Sequence, residues 1–479
     1  MRSMRRTALL FLALATPLQA QRPADGDVRR IDSVFAALDR TNSPGCALGI
    51  YRDGQLAYTR GYGMANLEHG IAISPRTVFD IGSTSKQFAA ASILLLQADG
   101  KLKVDDDVRT YLPELPQYQR PITIRHMLNH TSGLRDYLTL MSLHGTDFDG
   151  VTGDDEAFDL IVRQKALNFD PGSEFLYSNS GFFLLSQIVK RVSGKTLAQF
   201  AHERIFTPLG MRDTHFHDDH RMIVPQRATG YAAGRNGFVI DMSLFEQTGD
   251  GAVQTTIEDL LKWDNNFYAP TVGGEAMLRE LHTQGKLTNG TTISYALGLF
   301  VDQHRGLRRV RHGGSWAGYR AELLRFPETR TSVAVLCNLG SLNPSALADA
   351  VAAIVLRDRM APVTAAAPGT PSPAAPAPAP STGTPVTLTA AQLAAYAGVY
   401  HAPEVDATYH VEASAAGVTM RNGRTTGPPM AATAPDTFGD PRGLQVVFTR
   451  DAGGRVTGML VNAGRVRGIV ATRTPAAAR

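Results

Sequence analysis

Cysteine is nearly absent: Cys46 and Cys337 are the only two in 479 residues. Each lies in an apolar, strand-like run, which reads as a pair of buried thiols, although an oxidising compartment would permit one disulfide. Also missing is any run, beyond the N-terminus, long and apolar enough to span a bilayer. An excess of charge is lacking too. Lys and Arg number 48 against 44 Asp and Glu, for a formal +4, and three of the basic residues are Arg2, Arg5 and Arg6, which leaves 4 − 3 = +1 for the rest. The signs are interspersed without a basic stripe, so a pI near 9.0 gives no nucleic-acid footprint. What is present is a 43% hydrophobic composition, ample for a sizeable core and for more than one domain.

The chain divides into four stretches. Residues 1–20 have a basic start, an apolar run from Ala8 to Ala15 and a small residue, Ala20, at a cleavage position; this is the pattern of an export signal and implies a periplasmic or secreted protein. Residues 28–356 alternate helical and strand periodicities. A helix is expected over Asp27 to Arg40, then two strands flanking the hairpin signal Asp53-Gly54, then a helix to Ala98. Between 361 and 386 the composition turns to Pro, Ala, Thr and Ser, the mark of an extended linker. Residues 387–474 read as a small β domain, with a helix at Ala390 to Tyr396 and strands at Thr408 to Glu412, Gly417 to Met420, Leu444 to Arg450, Arg455 to Val461 and Val466 to Thr472.

Three short blocks carry chemistry. In the first, Ser83 stands at the start of a helix and Lys86 three residues on, so hydroxyl and ammonium share a face. The helix terminus favours negative charge developing on the serine oxygen, and a neutral lysine can take its proton. Alone, Ser-x-x-Lys is a weak signal. The second block, Tyr177-Ser178-Asn179, lies on a loop before an apolar helix; a tyrosine there becomes a base only if a neighbouring ammonium lowers its pKa well below its ordinary value. The third, His312-Gly313-Gly314-Ser315, opens a strand whose glycines let substrate lie against its edge and a backbone N–H face it.

Taken together, Ser83-x-x-Lys86, Tyr177-x-Asn179 and His312-x-Gly314 resemble, in order and separation, the serine-active penicillin-binding-protein-like hydrolases, in particular class C β-lactamases and their relatives. Leu128 to Leu134, Pro208 to Met211 and Thr255 to Trp263 resemble the same family, over roughly Val28 to Leu356. The resemblance implies an α/β fold in which an antiparallel sheet flanked by helices meets a helical lobe, with the site between them. It implies an acyl-enzyme on Ser83, proton transfer by Lys86 and Tyr177, and an oxyanion held by the N–H groups of Ser83 and Ser315. Asn179, His312, Gly313 and Gly314 would bind substrate, a small molecule or a peptide, with no metal or cofactor. It also makes Cys46 and Cys337 neighbours, because the first and last strands pair. His312 stands where class C enzymes carry Lys, which is more similar to D-alanyl carboxypeptidases, D-aminopeptidases and esterases of the family and weakens the case for β-lactam hydrolysis.

Other strings compete. Gly313-Gly314-Ser315-Trp316-Ala317 approaches a nucleophile elbow but lacks its last glycine. His126 and His130 lie four apart without the Glu of a zinc-protease helix, so capping or packing is expected of them. His215-Phe216-His217-Asp218-Asp219-His220 fits a metallohydrolase string and is the alternative mechanism. In the β domain, Leu393 to Tyr400 resembles the opening of lipocalin-like barrels appended to members of this family. That domain shows no catalytic constellation of its own, and reads as a spacing or stability module, or as one that borders the cleft.

Overall fold

Cys46 to Tyr51 is apolar at almost every position, the signature of a strand covered on both faces. In the computed structural model, which describes residues 22–362, 386–423 and 425–475, helix α1 (Asp25–Phe35) leads into this strand, β1 (Cys46–Arg52). Strand β2 (Gln55–Tyr62) returns beside it across Asp53 and Gly54, whose φ values of 49° and 80° are those a two-residue hairpin turn needs. A helical lobe follows, built around α2 (Lys86–Ala98), α3 (Tyr137–His144) and α4 (Asn179–Ser193). The chain then returns to the sheet through β3 (Phe300–His304), β4 (Leu307–Trp316), β5 (Tyr319–Phe326) and β6 (Thr331–Cys337), and ends the unit with α5 (Pro344–Val355). The strand order is β3-β4-β5-β6-β1-β2, antiparallel throughout.

Both faces of this sheet are dry. Leu48, Ile50, Val333 and Val335 pack with Ile31 and Phe35 of α1 and Ala348 and Val351 of α5. Ala47, Tyr51, Ala334 and Leu336 belong instead to the core that includes Phe88 and Trp263 of the lobe. At roughly 1.5–3 kcal/mol for each large apolar side chain fully buried, this alternation fixes the sheet between the two helical layers.

Cys46 and Cys337 are direct partners in the β1–β6 ladder and are joined by a disulfide. The reading of two free thiols is therefore corrected. Residues 291 apart in sequence carry no local sign of pairing, and strand register is what unites them. Cys46→Ala with Cys337→Ala is expected to cost about 2–5 kcal/mol and to lower Tm by roughly 5–15 °C in a thermal melt. An unchanged Tm would mean the bridge adds nothing to the strand pairing.

After α6 (Ala390–Ala394), nine strands form a second sheet: β7 (Gly398–Ala402), β8 (Ala407–Ser414), β9 (Gly417–Asn422), β10 (Thr425–Thr426), β11 (Ala431–Ala434), β12 (Thr437–Gly439), β13 (Leu444–Arg450), β14 (Val456–Ala463) and β15 (Val466–Arg473). Their order is β10-β9-β8-β7-β15-β14-β13-β12-β11. Val418 and Met430 exchange two backbone hydrogen bonds, 3.1 and 2.8 Å, so the sheet curls until β9 meets the residue before β11. Tyr400, Tyr409, Phe438, Phe448, Val461 and Ile469 fill the concavity. Four of these strands, β7, β10, β11 and β12, were not expected as such; they are two to five residues long, too short for a period-two pattern to show.

The curled sheet docks on the helical lobe through polar groups that are themselves buried. The Arg135 guanidinium pairs with Glu404 at 2.9 Å, with the two side chains only 2% and 6% exposed, and donates to the backbone oxygens of Arg467 and Gly468. Asn168 grips the turn between β14 and β15 from both sides, donating to Arg465 O at 2.8 Å and accepting from Arg467 N at 2.8 Å. No helix among the described residues is long and apolar enough to cross a membrane. The export-signal reading of residues 1–20 and the body of the linker reading lie outside the described residues.

Candidate active site

Ser83 lies in a short 3-10 turn, Gly82–Ser85, and Lys86 is the first residue of α2 proper. Two glycines let this turn touch the sheet. Gly82 has φ +48°, and a Cβ there would stand 2.7 Å from Ser315 N; a Cβ on Gly314 would stand 1.8 Å from Ile81 O. β3 ends its pairing with β4 at Arg311, so from His312 onward that edge of β4 is free to lie along the turn. Thr84 Oγ1 secures it by donating to His312 O at 3.1 Å. The Ser315 amide is thereby aimed at the segment that carries Ser83.

Lys86 is completely buried. Its Nζ reaches Ser83 Oγ at 3.1 Å, Asn179 Oδ1 at 3.0 Å and the Asp250 backbone oxygen at 2.5 Å. Burial drives the ammonium's pKa down and Arg465 pushes the same way, while Asp250 and Asp136 oppose part of it. The amide and the main-chain oxygen can only accept, so they engage two N–H bonds of a neutral amine and leave its lone pair for Ser83. Asn179 is held in turn, since its backbone N–H donates to Asp136 Oδ2 at 2.7 Å. The Asp250 carboxyl is raised, chiefly by burial, and accepts from Tyr137 Oη at 3.2 Å.

Tyr177 lines the cleft beside Ser83. Burial pushes its phenol well above the ordinary value, and the neighbouring Ser83 hydroxyl and Arg465 offset only part of that. Lys86 Nζ lies over the ring face, 4.9 Å from its centroid, rather than at the hydroxyl. The shift runs opposite to the lowering that a base would need, and favours the protonated phenol. His130 stacks on it at 4.0 Å between centroids and accepts from Ser178 N at 3.2 Å, and His126 closes a capping box with Thr123, the packing and capping roles expected of them.

His312 is the second correction. Its side chain is fully buried; Nδ1 donates to Gly313 O at 2.6 Å and Nε2 accepts from Tyr295 Oη at 3.1 Å. Burial lowers its pKa to about 3, so it is neutral and both nitrogens are occupied. Its ring packs among Tyr177, Tyr295 and Phe300 and is not part of the cleft lining. Gly313, Gly314 and Ser315 do line the cleft, a cavity of about 530 Å³ that also takes in Ser83, Tyr177 and Asn179.

The histidine string does not gather. His217 is engaged by His215 at 3.3 Å and by Arg227 at 3.4 Å, and Asp218 accepts from Thr196 at 3.5 Å. Among the described residues, one group of three potential ligands forms nearby, Asp219, His220 and Glu246, and it includes only two members of the string. Its atoms are already paired, His220 Nδ1 with Glu246 Oε1 at 2.6 Å and Asp219 with Arg221 at 3.0 Å. Three residues of the site were missed from sequence. Asp136 caps α3, Asp250 sits between Gly249 and Gly251, and Arg465 arrives from the β domain; of these only the flanking glycines of Asp250 offered a signal, and it was faint.

Comparison with known proteins fits this geometry. A D-aminopeptidase of Gluconobacter oxydans is 30% identical over 332 residues, which cover 69% of this chain and 62% of the relative. Penicillin-binding protein 4* of Bacillus subtilis is 31% identical over 328 residues, 65% of this chain and 71% of the relative. The chain thus spans about 62% of the length of that D-aminopeptidase, and 56% of one from Brucella anthropi. Among solved structures, the octameric penicillin-binding protein homologue from Pyrococcus abyssi superposes with a TM-score of 0.62 at 22% identity, covering 94% of this chain and 100% of that one. D-amino acid amidase from Ochrobactrum anthropi SV3 gives 0.58 at 23% identity, over 70% of this chain and 99% of the other. These two likenesses are of fold. The family described as beta-lactamase matches residues 31–358, more than half of the sequence, and so the chain belongs to the β-lactamase family.

Proposed function

We propose that the protein is an exported serine hydrolase that cleaves an ester, or an amide of the D-amino-acid type, through an acyl-enzyme on Ser83. One observation carries this reading: a buried, neutral-leaning Lys86 whose remaining direction points at Ser83 Oγ. Ser83 Oγ attacks the scissile carbonyl carbon and its proton passes to Lys86. The oxyanion lies against the N–H groups of Ser83 and Ser315. Tyr177 hands its proton to the leaving group as the carbon–leaving-group bond breaks, and the proton held by Lys86 returns to it through the water that enters. Water then attacks the acyl ester, its proton going to Lys86 and from there to Ser83 Oγ as the acyl–oxygen bond breaks, which frees Ser83. Among the described residues Asn179 Nδ2 has no protein acceptor, so it is available to a substrate carbonyl.

The D-amino-acid preference draws on the names of the relatives, and export on the N-terminal pattern and on a disulfide, which suits an oxidising compartment. A fully buried His312 does not itself provide a cation for a substrate carboxylate.

Ester and D- and L-aminoacyl p-nitroanilide hydrolysis across pH tests the reading. Activity requires neutral Lys86, so kcat/KM is expected to rise with pH along a limb well below the ordinary lysine value of about 10.4. The Asp250 carboxylate raises the Lys86 pKa, so Asp250→Asn moves that limb to lower pH. A limb at the free-lysine position, or one that Asp250→Asn leaves in place, would remove Lys86 as the base.

A further inference from the structure

The β domain places one side chain inside the cleft. Arg465 follows Gly464 in the turn between β14 and β15, and its backbone is fixed by Asn168 of the lobe, so the two units together determine where its head group lies. The guanidinium lies over the Tyr177 ring, 4.7 Å from the centroid, on the wall that also holds Ser83 and Asn179.

Its bonding is incomplete in a way that the other cleft arginines' is not. Arg320 donates to the backbone oxygens of Ala317 and Tyr319 at 2.8 and 2.6 Å, and Arg227 contacts His217 at 3.4 Å. Among the described residues, no hydrogen bond is made by the Arg465 guanidinium. The acid nearest to it is Asp136, 3.7 Å away, and the oxygen it faces already accepts from Asn179 N. The five N–H donors of this planar fork are thus without a hydrogen-bond acceptor among the described residues, and the Arg465 side chain, 25% exposed, lines the cleft. With Arg227 and Arg320 set against Asp80 and Asp250, the lining is also more cationic than anionic.

We propose that Arg465 is the anion-binding group of this site, taking in bidentate fashion a carboxylate that the substrate carries close to its scissile carbonyl, so that the β domain selects anionic acyl substrates. The choice of substrate rests on the serine-hydrolase reading; the binding does not. A carboxylate satisfies the fork as no neutral group can, and the aromatic face beneath holds the guanidinium in plane. A lysine at the same position would keep the charge and lose the fork.

The test compares p-nitrophenyl hemiglutarate with p-nitrophenyl valerate, which differ by one carboxylate, at a pH above the Lys86 limb. Wild type is expected to prefer the hemiglutarate in kcat/KM. Arg465→Gln should lower that ratio by about 10- to 100-fold, the worth of a charge-assisted hydrogen bond, and Arg465→Lys should restore part of it. An ester of trimethylammoniobutyrate should gain in Arg465→Gln relative to valerate. An unchanged ratio, or an equal loss on both esters that Lys does not rescue, would overturn the proposal. Binding of glutarate monomethyl ester to Ser83→Ala, by calorimetry, separates the two claims. If wild type hydrolyses neither ester while this binding is present and disappears with Arg465→Gln, the hydrolase reading fails and the anion site stands; if binding is indifferent to Arg465, the anion site falls whatever the turnover.

Discussion

In Ser83→Ala, p-nitrophenyl butyrate hydrolysis is expected to fall by about 10⁴- to 10⁶-fold, with EDTA leaving the wild type unaffected. The size of the loss follows from the way the group acts. Among the described residues Lys86 hydrogen-bonds to one hydroxyl, that of Ser83, and its two remaining contacts are acceptor-only oxygens, so removing Oγ removes both nucleophile and proton donor. What survives would be the oxyanion donors and the cleft, which still bind and orient substrate. Activity retained in Ser83→Ala and abolished by EDTA would transfer the chemistry to Asp219, His220 and Glu246.

Gly314→Ala ranks next, with an expected fall of about 10²- to 10³-fold in kcat, the cost of an oxyanion donor out of place. A methyl group there would have to occupy space 1.8 Å from Ile81 O and 2.7 Å from Ile81 C, both backbone atoms that cannot rotate away. The strand and the Ser83 turn must separate, and the Ser315 N–H moves with the strand. Because the shift falls on the transition state, KM should change far less than kcat. A kcat close to wild type, in a variant whose Tm shows that it folds, would mean that the Ser315 amide does not hold the oxyanion.

The parts of the molecule legible in the sequence are those that local pattern dictates. Asp53-Gly54 marks a hairpin because both residues must take positive φ, and the fully apolar β1 marks a strand buried on both faces. Ser83, Lys86, Tyr177, Asn179 and Gly314 stood out through spacing and order, and the structure brings four of them around one cavity, with Lys86 buried beneath and bonded to Ser83 and Asn179. What sequence misjudged was environment. A motif gives Tyr177 and His312 their positions but says nothing of burial, which raises the tyrosine's pKa, lowers the histidine's and leaves the histidine out of the cleft lining. Arg465 was illegible for another reason: it lies 382 residues from Ser83 by number (465 − 83), on a turn with no motif, and only the docking of two separately folded sheets makes it a neighbour.

The cystine bridge between β1 and β6 gives the molecule an unusual topology towards proteases. Every peptide bond from residue 46 to 337, including the whole helical lobe and both chemical motifs on it, lies within one covalent ring. A single nick in that lobe opens the ring without freeing a fragment, so the pieces stay tethered until a reductant reaches them. A cut between residues 361 and 386 falls outside the ring and leaves no covalent bond between the hydrolase unit and the curled sheet; non-covalent contacts, among them Arg135 with Glu404, Asn168 with the turn at Arg465 and Tyr409 with Leu143 O, would then keep Arg465 in the cleft.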